Sequence, residues 1–231
     1  MLEHFNMIFH MFWESLTKGK LLDILQDQLW NRRVAVPVEM DLTKLSSQTD
    51  LFKVLEDSYF TELKLENLQV SDWSFTVPSR RYKAIRNLKR GLRGFALIKG
   101  SKIVGDMWCI VPTEANKPVR HPDLDMLGIQ AKEKEVYAFD MLIDPSFRGR
   151  NLAVPIQRSL QLALKAEGYS LAYGFYWQDN IPAMWMHRSL RFRELPKRWV
   201  SRFFFIKRFG LLQTVQNVQE KPPATPINNN S

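Results

Sequence analysis

The stretch Arg148-Gly149-Arg150-Asn151-Leu152-Ala153 lies between an apolar run, residues 136–143, and a long amphipathic stretch that begins at Val154. This order predicts a strand, a basic loop and a helix. Because the first amides of a helix have no intrahelical partners and carry partial positive charge, such a loop suits a bound phosphate. Gly149 allows an anion to approach the backbone closely, and Asn151 is among the few other residues that tolerate a positive φ. The sequence therefore predicts an anion site in this loop.

Downstream of the loop, the pattern continues as helix, strand and helix. Residues 157–167 form an amphipathic stretch that ends at Gly168, a glycine at the position expected just after a helix. A second apolar run, Leu171–Trp177, predicts a strand parallel to the first. Crossovers of this kind are right-handed, so we expect the basic loop at the carboxyl end of a strand, where ligands usually bind.

Two motifs make this region similar to the GNAT superfamily of acyl-CoA-dependent acyltransferases. In that family an Arg/Gln-x-x-Gly-x-Gly/Ala loop holds the pyrophosphate of coenzyme A, and Arg148-x-x-Asn151-x-Ala153 matches it with asparagine at the middle glycine. The stretch Asn180-x-x-Ala183-x-x-x-His187-x-x-x-Arg191-Phe192 matches the family pattern N-x-x-A-x-x-x-Y-x-x-x-G-F. Here His187 stands at the tyrosine position and Arg191 at the glycine. The resemblance covers roughly residues 72–205 and is strongest over residues 137–192.

The resemblance implies an α/β fold with a mixed central sheet of the GNAT acyltransferase type. It also implies acetyl-CoA, or another acyl-CoA, as the cosubstrate, and direct attack of an acceptor amine on the thioester. The pyrophosphate site would consist of Arg148, Gly149, Arg150, Asn151, Leu152 and Ala153. Backbone amides near Met141, Leu142 and Ile143 would polarise the thioester carbonyl, and the Asn180 side chain would bond the pantetheine arm. Asn180 also suits the N-cap of a helix.

His187 is the residue that the resemblance marks as the general acid. A histidine, with an unperturbed pKa of ~6.5, can protonate a departing thiolate whose thiol has a pKa of ~8.5. The alternative is a histidine that is merely packed and hydrogen-bonded, because its helix also contains Met184, Trp185 and Met186. Tyr173 and Tyr176 are the substitutes if His187 points away from the substrate.

Asp140 is the residue that we expect to act as the general base. It interrupts an otherwise apolar strand, and a carboxylate is costly to bury without a partner. It therefore either pairs with an arginine or lines the acceptor cleft with a raised pKa. Asp106 on the preceding apolar strand is a weaker candidate of the same kind.

The net charge of +9 is concentrated in two segments. Residues 79–93 contain seven Lys and Arg and no acid, and residues 187–208 contain eight against Glu194 alone. Four roles are open for these basic segments: they can be solvated faces, attract an anionic coenzyme, adhere to an anionic membrane or bind nucleic acid. No nucleic-acid module is recognisable, so no nucleic-acid partner is expected.

The chain divides into an N-terminal extension, one catalytic domain and a tail. Residues 1–33 predict amphipathic helices whose apolar face must be covered, either by the catalytic domain or by a second copy in a homodimer. Residues 34–218 form the GNAT-like domain, and residues 219–231, rich in proline and asparagine, are expected to be disordered. No run is long enough to cross a membrane and no signal peptide is recognisable, so we expect a cytoplasmic protein.

Within the domain, residues 34–42 predict a strand that Pro37 places at an edge of the sheet. Residues 51–68 predict a helix followed by a loop, and residues 78–90 a basic helix. Strands are expected on both sides of Gly100-Ser101, which suits a two-residue hairpin turn. A loop is expected over residues 112–134. The lone Cys109 is expected to be buried in a strand.

The sequence thus predicts an acyl-CoA-dependent N-acyltransferase, most simply an acetyltransferase, whose amine acceptor it does not identify. Two alternatives remain. One is a GNAT-like scaffold that binds acyl-CoA or a partner without catalysis, and the other is a peripheral adaptor that works through its basic faces.

Overall fold

The computed structural model describes residues 30–46, 56–114, 117, 119–203 and 206–212. Its strands are β1 (Trp30–Asp41), β2 (Ser58–Leu63), β3 (Arg93–Lys99), β4 (Lys102–Ile110), β5 (Glu135–Ile143), β6 (Leu171–Trp177), β7 (Arg193–Glu194), β8 (Arg198–Phe203) and β9 (Ile206–Leu211). Its helices are α1 (Leu65–Val70), α2 (Pro78–Lys89), α3 (Pro122–Leu127), α4 (Ala153–Ala166) and α5 (Ile181–Ser189). The strands form one sheet in the order β2-β3-β4-β5-β6-β1-β8-β9, with β7 beside β1.

The helices cover both faces of this sheet. On one face, α4 buries Leu152, Ile156, Leu160 and Leu164 against inward side chains of the central strands. On the other face, α2 packs against the fully buried Trp108 of β4, and α3 covers a second cluster around Tyr137 of β5. Two layers of helix on a mixed sheet are the architecture expected for an α/β fold.

The centre of the fold agrees with the pattern of the sequence. Strands β5 and β6 are parallel and are joined by the crossover helix α4, as predicted. Gly168 follows that helix with a φ of +88°, the left-handed conformation of a glycine helix stop. The basic helix and the hairpin around Gly100 are also present as predicted.

Strand β1 is central, whereas Pro37 had predicted an edge strand. It pairs with β6 on one side, and with β8 and β7 on the other. Pairing with β8 ends at Ala35 and pairing with β7 begins at Val38, so Pro37 lies at the interruption. Its carbonyl accepts a hydrogen bond there from Leu195 N at 2.8 Å. A proline is tolerated at such a gap because no ladder bond requires its missing N–H.

Three other boundaries differ from the prediction. Strand β1 begins at Trp30, so the last residues of the expected helical extension belong to the sheet. Over residues 56–68, strand β2 and the short helix α1 replace the helix and loop that were expected, because β2 is an edge strand whose conformation depends on pairing with β3. The start of that prediction, residues 51–55, lies outside the described residues. Helix α3 lies within the expected loop.

The rest of the N-terminal extension, with its proposed dimer contact, and the C-terminal tail lie outside the described residues. Among the described residues, no helix is long and apolar enough to cross a membrane.

Candidate active site

Strands β5 and β6 separate after a short stretch of pairing, and a cleft opens between them. Their register runs from Glu135 beside Leu171 to Tyr137 beside Tyr173 and goes no further. The cleft has a volume of about 430 Å³. Beyond the last pair, backbone groups on the facing edges of the two strands have no strand partner and are open to a ligand in the cleft.

A bulge in β5 accompanies this separation. The register between β4 and β5 shifts between Asp106 and Trp108, so β5 carries an extra residue there. Asp140 lies at the shift with a φ of +54°, a left-handed conformation that is rare for a residue with a Cβ. A bulge bends its strand and increases the local twist. Met141 and Ile143, which follow it, line the cleft.

The basic loop lies at the end of β5, as predicted. A single 3₁₀ turn, Pro145–Phe147, leads into it. Gly149 and Asn151 have φ values of +79° and +54°, and both are exposed. A left-handed residue followed by a right-handed one, as Asn151 is by Leu152, turns neighbouring amides toward one side, an arrangement that binds anions. Helix α4 begins here at an N-cap, Leu152, that makes no side-chain capping bond, so its first amides stay available.

The two arginines of this loop add positive charge. No carboxylate among the described residues pairs with Arg148 or Arg150. The Arg150 guanidinium lies 5.3 Å from the ring centre of Phe147, which orients it beside the loop. Helix α4 thus starts at a cationic loop with open amides, which is the arrangement required for a pyrophosphate.

His187 of α5 lines the cleft and is 7% exposed. Its Nδ1–H donates to the Ala183 carbonyl oxygen at 2.8 Å, since that oxygen can only accept. The ring stacks on Tyr176 and meets Phe192 edge-on. Burial lowers the pKa of His187, although the bond to Ala183 and the charge of Glu194 oppose this. The imidazole is therefore neutral near pH 7, with its Nε2 lone pair free to accept.

The Nε2 atom lies beside the opening between the strands. A Cβ added to Gly174 of β6 would stand 3.9 Å from it, and Gly174 lines the cleft. A neutral imidazole with a free Nε2 is a proton acceptor. The acid role of His187 stays a prediction, and in the neutral form the ring would first have to gain the proton that it later gives to a thiolate.

Tyr173 and Tyr176 also line the cleft, but their hydroxyls are engaged elsewhere. Tyr173 donates to Glu135 at 3.2 Å and Tyr176 donates to Glu194 at 2.8 Å. Burial, with the bond to Glu194, raises the pKa of Tyr176 to about 12. Each hydroxyl would have to leave its carboxylate before it could protonate a thiolate.

Asp140 lines the cleft and is ion-paired. Its Oδ2 atom lies 2.8 Å from Arg80 Nη1 and 2.7 Å from Lys83 Nζ. Arg80 Nη2 also donates to the Asp140 backbone carbonyl at 2.6 Å, so one guanidinium holds both the side chain and the backbone of the bulge. Of the two roles that the sequence left open for Asp140, the structure supplies the ion pair.

Asp106 completes this network from β4. Arg80 Nε donates to both of its carboxylate oxygens at 2.9 Å, and Trp108 Nε1 donates to Oδ2 at 2.8 Å. Burial by itself would lower the pKa of Arg80. The negative charges of Asp106 and Asp140 outweigh this effect, so the pKa of Arg80 is raised. The weaker candidate for a base is thus a structural carboxylate that anchors the arginine under the bulge.

No protein-family model and no curated protein matches the sequence. Solved structures do match the fold. The glucosamine N-acetyltransferase region of a fungal multi-domain GH3 β-N-acetylglucosaminidase superposes with a TM-score of 0.53 at 11% identity, over 81% of this chain and 23% of the other. A tandem GNAT protein from the clavulanic acid biosynthesis pathway superposes with a TM-score of 0.50 at 15% identity, over 74% and 53%. The chain thus shares its fold with these GNAT proteins. The chain spans about a quarter and about half of the length of these two structures.

The backbone conformation accounts for the two non-glycine residues in the sequence motifs. Asn151 and Arg191 stand where the family pattern has glycine, and both have positive φ values, +54° and +60°. Each therefore adopts the left-handed backbone conformation for which glycine is usually selected. The departures from the pattern change side chains and leave the backbone conformation of these two turns in place.

Two further polar residues line the cleft between β5 and β6. Asn180 caps α5 by accepting from Ala183 N at 3.2 Å, and it also lines the cleft. Gln157 of α4 was not predicted from the sequence. It is 2% exposed, lines the cleft, and its Oε1 atom has no partner within the described residues. A glutamine on the sheet-facing side of an amphipathic helix is the signal that could have identified it.

Cys109 is buried in β4, as expected, and is expected to be chemically inert. Burial raises the pKa of its thiol from 9.0 to about 12, which lowers the thiolate fraction about a thousandfold. Labelling with a thiol reagent should therefore be negligible in the native protein and complete after unfolding. Rapid labelling of the native protein would show that β4 opens locally.

Proposed function

We propose that this protein transfers an acyl group, most simply acetyl, from acyl-CoA to an amine by direct attack. The observation that carries the proposal is the cleft between β5 and β6, which begins beside the cationic loop at the start of α4 and passes the free Nε2 of His187. The fold is one that N-acetyltransferases share, which supports acyl transfer in general.

The residues present suit an acyl-CoA. The loop Arg148–Ala153 offers open amides and two unpaired cations to a pyrophosphate. Backbone groups of Met141 and Ile143, which line the cleft beyond the last β5–β6 pair, suit the amide-rich pantetheine arm and the thioester carbonyl, and Leu142 lies between them. Asn180 and the unpartnered Oε1 of Gln157 add polar contacts in the same cleft.

In this proposal His187 moves the proton. Nε2 accepts a proton as the amine nitrogen bonds to the thioester carbon, and the resulting imidazolium returns it to the sulfur as the carbon–sulfur bond breaks. One carbon–nitrogen bond replaces one carbon–sulfur bond, and the amine proton ends on the thiol. Asp140 holds the bulge, and the base role predicted for it passes to His187.

Coenzyme A binding is tested at the loop. The double variant Arg148→Ala, Gly149→Val removes a cation and puts a β-branched residue at a φ of +79°, where no neighbouring atom obstructs a Cβ and only backbone strain acts. We expect the affinity for coenzyme A, measured by calorimetry, to fall at least about tenfold, since a hydrogen bond to a charged group contributes about 1.5–3 kcal/mol.

Lys99→Ala, a cation on the hairpin at the end of β3, serves as the control and should leave the affinity unchanged. Unchanged affinity in the double variant would remove the pyrophosphate from this loop. Transfer itself is measured by release of free thiol from acetyl-CoA in the presence of a panel of amines. Tight binding of coenzyme A without thiol release would favour the non-catalytic scaffold.

A further inference from the structure

The cleft opens on both faces of the sheet, and its opening on the α3 face is aromatic. Side chains alternate along a strand, so Phe175 and Trp177 point away from the face on which Gly174 meets His187. Phe139 of β5 packs in the same cluster. Phe175 and Trp177 meet edge-on at 5.2 Å. These three rings, here called the aromatic wall, line the side of the cleft from which an acceptor can reach the thioester.

A row of cations on α2 begins at the same bulge. Lys83, Arg86 and Arg90 follow one another at helical spacing and share one side of the helix. Lys83 contacts Asp140 at 2.7 Å. Arg86 follows one turn later, and its Nε atom is buried without a hydrogen-bond partner.

The carboxylates named next, at or near this opening, already have hydrogen-bond or ion-pair partners. Asp140 is the one carboxylate among the described residues that line the cleft, and it holds both Arg80 and Lys83. Glu135 accepts from Tyr173, and Asp179 pairs with Arg33 at 2.6 Å. Within the described part of the chain, no carboxylate pairs with Arg86 or Arg90. Polyamine acceptors need surplus negative charge, whereas the α2 side of this opening carries Arg86 and Arg90 without carboxylate partners.

We infer that the acceptor is a small primary amine that carries an aromatic group and a carboxylate beside the amine, as an aromatic α-amino acid does. The inference rests on the proposed acyl transfer. The aromatic wall takes the ring, and the Lys83–Arg86 side of α2 takes the carboxylate by charge-assisted hydrogen bonds. The amine, two bonds from the carboxylate carbon, then points into the cleft that His187 lines from the other face, where the carbon–nitrogen bond forms and the carbon–sulfur bond breaks.

The test compares L-phenylalanine with phenethylamine, which differs only by the carboxylate, and with spermidine. With saturating acetyl-CoA, we expect kcat/KM for L-phenylalanine to exceed that for phenethylamine at least about tenfold, the size of one charged hydrogen bond. Spermidine should be the poorest substrate. Equal values for the first two amines, or a preference for spermidine, would overturn the inference.

The variant Arg86→Gln should lower kcat/KM for L-phenylalanine about tenfold and change that for phenethylamine less than about twofold. Arg81→Gln is the matched control, because it removes the same charge from the same helix while Arg81 bonds the Leu68 carbonyl on the α1 side. Lys83→Met is a second variant with the same expected pattern, should Arg86→Gln fail to fold. Equal losses for both amines would contradict a contact with the carboxylate.

Direct binding separates this inference from the proposed function. If no amine releases thiol from acetyl-CoA, acyl transfer fails as the function. Calorimetric titration of L-phenylalanine into the protein with coenzyme A still decides the acceptor site. Binding that Arg86→Gln weakens about tenfold supports the site, and binding equal to that of phenethylamine rejects it.

Discussion

Replacing His187 with alanine is expected to lower kcat by about 10²–10⁴-fold, the range typical of a lost proton-transfer group. Among the described residues that line the cleft, His187 is the one whose side chain has a free accepting nitrogen. Its Nδ1–H is bonded to the Ala183 carbonyl, so Nε2 carries the free lone pair. The KM for acyl-CoA should change little, since the loop at the start of α4 carries that affinity in the proposal.

The pH dependence has a defined sign. The neutral imidazole is the active form, and protonation at low pH removes the Nε2 lone pair. Burial lowers the pKa of His187 from 6.5, so kcat should rise with pH through a midpoint below 6.5 and be level above it. In His187→Ala this acidic limb should be absent, and added imidazole should restore part of the rate.

Two tyrosine variants test whether His187, and not a tyrosine of the cleft, moves the proton. Tyr176→Phe and Tyr173→Phe remove hydroxyls that donate to Glu194 and Glu135, and each should lower kcat less than about fivefold if His187 moves the proton. Near-normal turnover by His187→Ala, together with a large loss in either tyrosine variant, would transfer the role to that tyrosine.

Replacing Arg80 with alanine is expected to lower the free energy of unfolding by about 3–5 kcal/mol, because it leaves a buried carboxylate without its cation. The side chains of Arg80 and Asp106 are 7% and 2% exposed. Asp140 loses one of its two cations, and the bulge loses the hydrogen bond to its backbone carbonyl. Urea unfolding measures the loss.

Arg81→Ala is the control for this prediction. Arg81 lies next on the same helix but is exposed, and its replacement should change stability by less than about 0.5 kcal/mol. Arg80→Lys keeps the charge but not the fork of donors, so its loss should fall between the two. A stability loss for Arg80→Ala no larger than that of Arg81→Ala would mean that the network contributes little and that Asp106 protonates instead.

Local patterns predicted much of the half of the chain that contains the cleft. The alternation of apolar runs with an amphipathic stretch predicted β5, α4 and β6, because those periodicities depend on neighbours in sequence. Gly168 and Asn180 mark helix ends through their own backbone preferences and side-chain bonds. The same reasoning predicted that Asn151 could take a positive φ, and it does so.

Other features depended on contacts between distant segments. Strand β1 joins the sheet between β6 and β8, strands that follow it by more than a hundred residues, and nothing local indicates that partner. Edge strand β2 has its conformation set by pairing with β3, so the residues alone predicted a helix and a loop. Pairing of this kind is non-local, and short apolar runs do not specify it.

The chemistry of the site also depends partly on the sequence alone and partly on the tertiary structure. The sequence by itself determined which residue types stand near the cleft: a basic loop at a helix start, a histidine on the last helix and a carboxylate in an apolar strand. Only the tertiary structure decided their states. Arg80, sixty positions before Asp140, pairs with that carboxylate and holds the backbone of the bulge. The Ala183 carbonyl and the surrounding rings make His187 a neutral acceptor. Protonation depends on burial and on partners in space, and these exist only once the chain has folded.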